Sequence, residues 1–68
     1  MARNYNLMEA MALAGLSDGK LAERAGVERK TVLNTRAYNT HPRVSTAIRI
    51  ARALGTTVEE LWGGDVDA

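Results

Sequence analysis

Cysteine and phenylalanine are absent from the 68 residues, which contain a single histidine and a single proline. Without cysteine the chain has neither a disulfide nor a thiolate metal site, and one histidine cannot supply the ligands of a zinc site. The sequence also lacks a nucleophile with its base, paired carboxylates in an apolar setting and a glycine-rich phosphate loop. It therefore predicts no metal, no cofactor and no enzymatic activity.

Long apolar runs and a strong net charge are also missing. No run approaches the roughly 18 apolar residues of a membrane span, and the N-terminus has no signal-peptide pattern. We therefore expect no membrane association and a cytoplasmic location, close to the nucleoid in a bacterial cell. The net charge is +1, which is small for a nucleic-acid binder. Seven cations are nevertheless concentrated in the middle of the sequence: Arg24, Arg29, Lys30, Arg36, Arg43, Arg49 and Arg52.

Apolar residues recur at helical spacing, and no alternating run of strand length interrupts them. Capping residues and glycines divide this pattern into five short helices. The predicted helices are Asn4 to about Ala14, Ser17 or Asp18 to Gly26, Glu28 to about Arg36, Pro42 to Gly55, and Val58 to Trp62. Pro42 is expected in the first turn of its helix, where its missing N–H would be unpaired anyway. The fourth helix is expected to bury Val44, Ala47, Ile48, Ala51 and Leu54.

The predicted fold class is all-α, a compact bundle of five short helices. One domain is expected over residues 1–64, followed by a short acidic tail over 65–68 that we expect to be disordered. Residues 37–41 are expected to form a polar loop between the third and fourth helices.

The segment from Leu16 to Leu33 reads L-S-D-G-K-L-A-E-R-A-G-V-E-R-K-T-V-L. It resembles the helix-turn-helix domain of the Cro and repressor type (lambda repressor-like, XRE-type), whose segment reads approximately L-S-Q-x-x-L-A-x-x-x-G-V-S-x-x-T-I-S. Downstream, His41-Pro42 and Ile50-Ala51-Arg52-Ala53-Leu54-Gly55 are similar to the family's N-P and I-A-x-A-L-G. The resemblance covers residues 7 to 62 and implies that residues 28–36 form a recognition helix for the DNA major groove.

Four residues depart from the family's pattern. Asp18 stands where relatives often carry a phosphate-holding glutamine, and its charge is expected to repel a phosphate. Glu28 replaces a small polar residue and either accepts a hydrogen bond from cytosine or caps the helix. Thr35 replaces a larger apolar residue, which predicts a looser end to the third helix, and Tyr38 takes the place of a frequent glycine.

Candidate DNA-contacting residues follow from helical spacing and from the resemblance. Because Val32 must point inward, four polar residues are placed on the opposite face and predicted to read bases: Glu28, Arg29, Lys30 and Asn34. The alternative is a solvated charged face. A second set is predicted to contact phosphates: Ser17, Lys20, Thr31, Arg36, Asn39, Thr40, His41 and Arg43. For the loop members of this set, the alternative is ordinary loop polarity.

The sequence thus predicts a small sequence-specific DNA-binding regulator of the phage or bacterial type, which blocks or recruits polymerase. We expect it to bind a double-stranded DNA operator as a homodimer. The dimer contact is expected to involve Leu61, Trp62 and the C-terminal end, although Trp62 fits a place in the core equally well. The alternative is a protein-interaction module on the same fold, such as an antirepressor or an antitoxin. The near-neutral charge, Asp18, Glu28 and the apolar Leu61-Trp62 end favour this alternative.

Overall fold

The computed structural model describes residues 4–38 and 42–63, and within these residues the chain forms five α-helices. They are α1 (Tyr5–Ala14), α2 (Asp18–Ala25), α3 (Arg29–Tyr38), α4 (Val44–Leu54) and α5 (Val58–Trp62). Helix α2 packs mainly on α3 and α4, whereas α1 packs on α5 as well as on α3 and α4. The predicted all-α fold is confirmed. The tail and most of the loop predicted between α3 and α4 lie outside the described residues.

Side-chain caps fix where several helices begin. In three of them an oxygen accepts a backbone N–H three residues further on: Asn4 Oδ1 from Leu7 at 3.0 Å, Ser17 Oγ from Lys20 at 3.2 Å, and Thr57 Oγ1 from Glu60 at 3.1 Å. Each bond satisfies a donor that a helix leaves unpaired in its first turn. Ser17 is therefore the cap of α2, and the carboxylate of Asp18 remains available for another partner. None of the described helices has both the length and the apolar character that crossing a membrane requires.

The turn from α2 to α3 depends on Gly26, whose φ of 71° lies in the left-handed region. The backbone N–H groups of Gly26 and Val27 both bond to the carbonyl of Ala22, the latter at 3.0 Å. Arg49 on α4 donates from Nη1 to the Gly26 carbonyl at 3.4 Å, a long contact. A Cβ atom at Gly26 would lie 3.9 Å from that nitrogen. The obstacle to a side chain here is therefore the backbone conformation and not a lack of space.

Within residues 4–38 and 42–63, the core contains ten buried apolar side chains, to which each of the five helices contributes: Leu7, Met11, Leu21, Ala22, Val32, Ala47, Ile50, Ala51, Leu61 and Trp62. Leu21, Val32 and Ile50 have no exposed surface and come from α2, α3 and α4. Ile50 is buried, whereas Ile48, which the sequence pattern predicted to be buried, is half-buried. The small side chains of Ala47 and Ala51 let α4 approach its neighbours on this face, and Ile50 lies between them.

Two predictions about the ends of helices are wrong. Helix α3 continues to Tyr38, and Thr35 is only 2% exposed, so the expected loosening does not occur. The backbone N–H of Asn4 bonds to the carbonyl of Arg36 at 3.1 Å, which satisfies one of the acceptors in the last turn. Pro42 lies before α4 instead of in its first turn, because Arg43 is the N-cap with an extended backbone.

A matched pair of glycine substitutions tests the importance of the turn. Gly26→Ala should lower the free energy of unfolding by about 1 kcal/mol or more, because alanine is strained at positive φ. Gly19→Ala should raise it by about 0.5 kcal/mol, because Gly19 lies inside α2 with open space around its Cα. Urea denaturation followed by circular dichroism measures both. Equal effects of the two substitutions would contradict the role given to Gly26.

Candidate nucleic-acid interface

Helix α3 is anchored along one side and free along the other. Val32 and Thr35 are its buried residues, at 0% and 2% exposure. Each residue of a helix advances about 100°, so Lys30 points about 160° away from Val32 and about 140° away from Thr35. The same arithmetic places Ala37 beside Lys30. Leu33 and Asn34 lie between these two along the outer side. We call these four residues, Lys30, Leu33, Asn34 and Ala37, the outer strip of α3.

Three of the four predicted base-reading residues meet at the N-terminal end of α3. Glu28, Arg29 and Lys30 are all exposed. Glu28 lies just before the helix, and its backbone carbonyl accepts from Thr31 and Val32 at 3.0 and 3.3 Å. Its side chain is therefore beside the helix end and not on the exposed helical face where it was predicted. Asn34, the fourth residue, is half-buried on the outer strip one turn further along.

The predicted phosphate-contacting residues are spread over α2, α3 and the start of α4. Ser17 and Lys20 are exposed at the first turn of α2, and Arg43 is exposed at the N-cap of α4. The Ser17 oxygen accepts from Lys20 N–H, so its own hydroxyl hydrogen remains available to a phosphate. Thr31 is half-buried. Asn39, Thr40 and His41 lie outside the described residues.

Arg36, also predicted to contact phosphate, is held by Asp18. Its Nε donates to Asp18 Oδ1 at 2.8 Å and its Nη2 donates to Asp18 Oδ2 at 2.7 Å. The two side chains are 27% and 16% exposed. The hydrogen bond to Asp18 raises the pKa of the Arg36 guanidinium; burial lowers it, and the charge of Asp18 raises it further. This two-pronged ion pair joins the first residue of α2 to the last turn of α3.

The ion pair changes what both residues contribute to a nucleic-acid surface. The positive charge of Arg36 is offset at close range by a carboxylate, so it attracts phosphates less than an unpaired arginine does. Conversely, Asp18 does not present an unpaired negative charge, and its expected repulsion of a phosphate is reduced. Among the described residues, Lys20, Arg29 and Lys30 have no hydrogen-bond or ion-pair partner for their side chains. They are the cations that this part of the surface leaves available.

Sequence reasoning missed three features of this surface. The Asp18–Arg36 pair joins residues 18 positions apart, and nothing local in the sequence indicates it. The contact of Arg49 with the turn is equally nonlocal. Leu33 is different, because its exposure of 38% could have been found. Leu33 lies about 100° from Val32 and about 160° from Thr35 on the helix, so helical spacing alone turns it away from the core.

Comparison with known proteins gives the family. The sequence profile described as helix-turn-helix, of the lambda repressor-like (XRE) type, matches residues 7–61. The chain belongs to the helix-turn-helix family. No curated protein and no solved structure gives a significant match. In this helix-turn-helix domain α2 and α3 are the paired helices, and Gly26 forms the turn between them.

The family to which this domain belongs is a DNA-binding regulatory one and not typically enzymatic. Within residues 4–38 and 42–63, no group of three or more histidine, cysteine or acidic side chains could hold a metal ion. The chemistry that the surface around α3 offers is hydrogen bonding, charge and apolar contact.

A double-mutant cycle measures the ion pair. Asp18→Asn and Arg36→Ala should each destabilise the domain, and together they should reveal a coupling of about 1 kcal/mol at low salt. The coupling should fall at high salt because both side chains are partly exposed to screening. Urea denaturation of the four proteins gives the value. Arg24→Ala, an exposed arginine of α2, is the control and should change stability little; a coupling of zero at low salt contradicts the ion pair.

Proposed function

We propose that the protein is a sequence-specific regulator of transcription that places α3 in the major groove of double-stranded DNA. The observation that carries this proposal is the exposed end of α3. Glu28, Arg29 and Lys30 are all exposed there, and the core side of the same helix is fixed by Val32 and Thr35. A protruding helix of this kind fits the major groove, and its polar side chains can reach base edges.

Base contacts are proposed for Arg29, Lys30 and Asn34, with Glu28 beside them. An arginine or lysine recognises guanine O6 and N7, an asparagine recognises adenine N6 and N7, and a glutamate accepts from cytosine N4. The exposure of Arg29 and Lys30 supports their assignment. Asn34 is half-buried, so its assignment rests on its place on the outer strip of α3.

Phosphate contacts are proposed for Ser17, Lys20, Thr31 and Arg43, and for the residues 39–41. Ser17 and Lys20 lie at the start of α2, which in a helix-turn-helix crosses the DNA backbone. Arg36 is proposed as a weaker contact, since two of its three nitrogens already donate to Asp18. Its third nitrogen, Nη1, is the one left for a phosphate oxygen.

We also propose that two copies bind an operator with half-sites about one helical turn apart. We expected Leu61 and Trp62 to form the dimer contact, but their side chains are not available for it. They are 3% and 6% exposed because they fill the core of a single chain. A homodimer would therefore be joined through other side chains.

The decisive experiment is a titration of random duplex DNA with the protein by fluorescence anisotropy at increasing salt. A DNA reader should bind at low salt, with log K falling linearly in log salt by about 0.9 for each phosphate contacted. Selection from randomised DNA should then yield an operator that is bound at least about 1000-fold more tightly than random sequence. Absence of any salt-dependent binding would overturn the proposal.

A second candidate function is a protein-interaction module, and one observation favours it. Leu13 on α1 is 84% exposed beside a groove of about 580 Å³. The residues that line this groove are Asn6, Glu9, Ala10, Leu13, Ala14, Leu54, Thr56, Glu60 and Leu61. Because its lining contains apolar and acidic residues, the groove suits a segment of a partner protein that carries aliphatic and cationic side chains. On this hypothesis the domain shows little affinity for random duplex at low salt.

Two arginine substitutions distinguish base contacts from phosphate contacts. Arg29→Ala should relax discrimination at one base pair of the selected operator, by about 1–3 kcal/mol. Arg43→Ala should weaken binding to all sequences about equally and lower the salt slope by about one unit. Both arginines are exposed, so neither change should unfold the domain. Binding constants for the operator and its single-base variants give both results, and unchanged binding in both proteins contradicts the docking.

A further inference from the structure

Leu33 is the one large apolar side chain on the outer strip of α3. It is 38% exposed and lies between Lys30 and Ala37 along the helix. It points about 100° from Val32 and about 160° from Thr35, so the core cannot take it without turning these two residues out. Single exposed leucines are common on protein surfaces. What distinguishes this one is its position at the centre of the surface assigned to base contacts.

The outer strip is half polar and half apolar. Lys30 and Asn34 carry hydrogen-bonding groups, whereas Leu33 and Ala37, one turn apart, form a small adjoining apolar surface. Polar base edges placed against that apolar surface would lose their water without gaining a partner. The surface therefore fits a base that presents an apolar group in the major groove. Thymine does so through its C5 methyl group, next to its O4 acceptor.

We propose that Leu33, with Ala37 beside it, contacts the C5 methyl group of a thymine and selects thymine at one position of each half-site. The inference rests on the proposed function and adds to it a specificity contact that has no hydrogen bond. Cytosine in the same place lacks the methyl group and presents an amino donor to the leucine. Lys30 and Asn34 would read the neighbouring base pairs.

Deoxyuridine provides the sharpest probe, because replacing thymine by uracil removes only the methyl group and leaves base pairing intact. Each thymine of the selected operator is replaced in turn, and binding is measured by anisotropy. One position per half-site should weaken binding about fourfold, the value expected for one buried methyl group at about 0.8 kcal/mol. In Leu33→Ala, the difference between thymine and uracil at that position should shrink clearly, because only the small side chains of Ala37 and the new alanine remain near the methyl group.

Two controls accompany the measurement. Leu13→Ala removes another exposed leucine, on α1, and should retain the full uracil effect. Leu33→Ala should give the circular dichroism spectrum of the wild type, since alanine is the best helix former. Placing 5-methylcytosine in an operator that carries cytosine at the sensitive position should recover about fourfold in the wild type and clearly less in Leu33→Ala.

The possible failures are distinguishable. If the protein binds no duplex in a salt-dependent manner, the proposed function and this inference fail together. If it binds and selects an operator but no uracil substitution weakens binding, only the role of Leu33 is overturned. The same conclusion follows if the uracil effect persists undiminished in Leu33→Ala.

Discussion

The attachment of α3 through two buried residues is the constraint on which the rest of the structure depends. Val32 and Thr35 are the buried side chains of this helix, and Val32 is the one that belongs to the apolar core. A chain of 68 residues has few apolar side chains to spare, and a small core offers little excess stability. Fixing α3 through one narrow side orients it while leaving its outer strip free. The turn at Gly26 and the packing of α2 then determine the angle at which that strip is presented.

The Asp18–Arg36 pair supplements this narrow apolar attachment with an electrostatic one. It joins α2 to α3 about 40° around the helix from Val32, at the edge of the buried side of α3. Such a pair stabilises the relative positions of the two helices only modestly, because it is partly solvated. Its larger consequence is for charge, since it offsets one of the few cations near α3. At this position, the ion pair that helps to hold the helix in place also reduces the attraction of Arg36 for phosphates.

The features that could be predicted from sequence are those set by local chemistry. Asn4 and Ser17 can be identified from the sequence as helix caps, and Gly26 can be identified as a turn residue. Each of them acts on backbone groups within a few residues of itself. Thr35 was misjudged because its type suggests poor packing, whereas its burial is decided by which neighbours surround it. The ion pair between Asp18 and Arg36 could not be predicted, since it depends on how two helices meet. The placement of Leu61 and Trp62 in the core of the single chain likewise follows from tertiary packing.

Low net charge and a partly apolar outer strip have a common consequence under the proposed function. Nonspecific binding to DNA comes almost entirely from neutralised phosphates, and this domain has a net charge of +1 with one arginine near α3 already paired. Its affinity for random sequence should therefore be measurable at low salt but lower than that of a strongly basic domain. Binding energy at an operator must then come in larger part from base contacts, including the apolar one at Leu33. Base contacts are lost on the wrong sequence, whereas phosphate contacts persist. A domain that depends more on base contacts therefore discriminates better between sequences, although it attracts DNA less strongly overall.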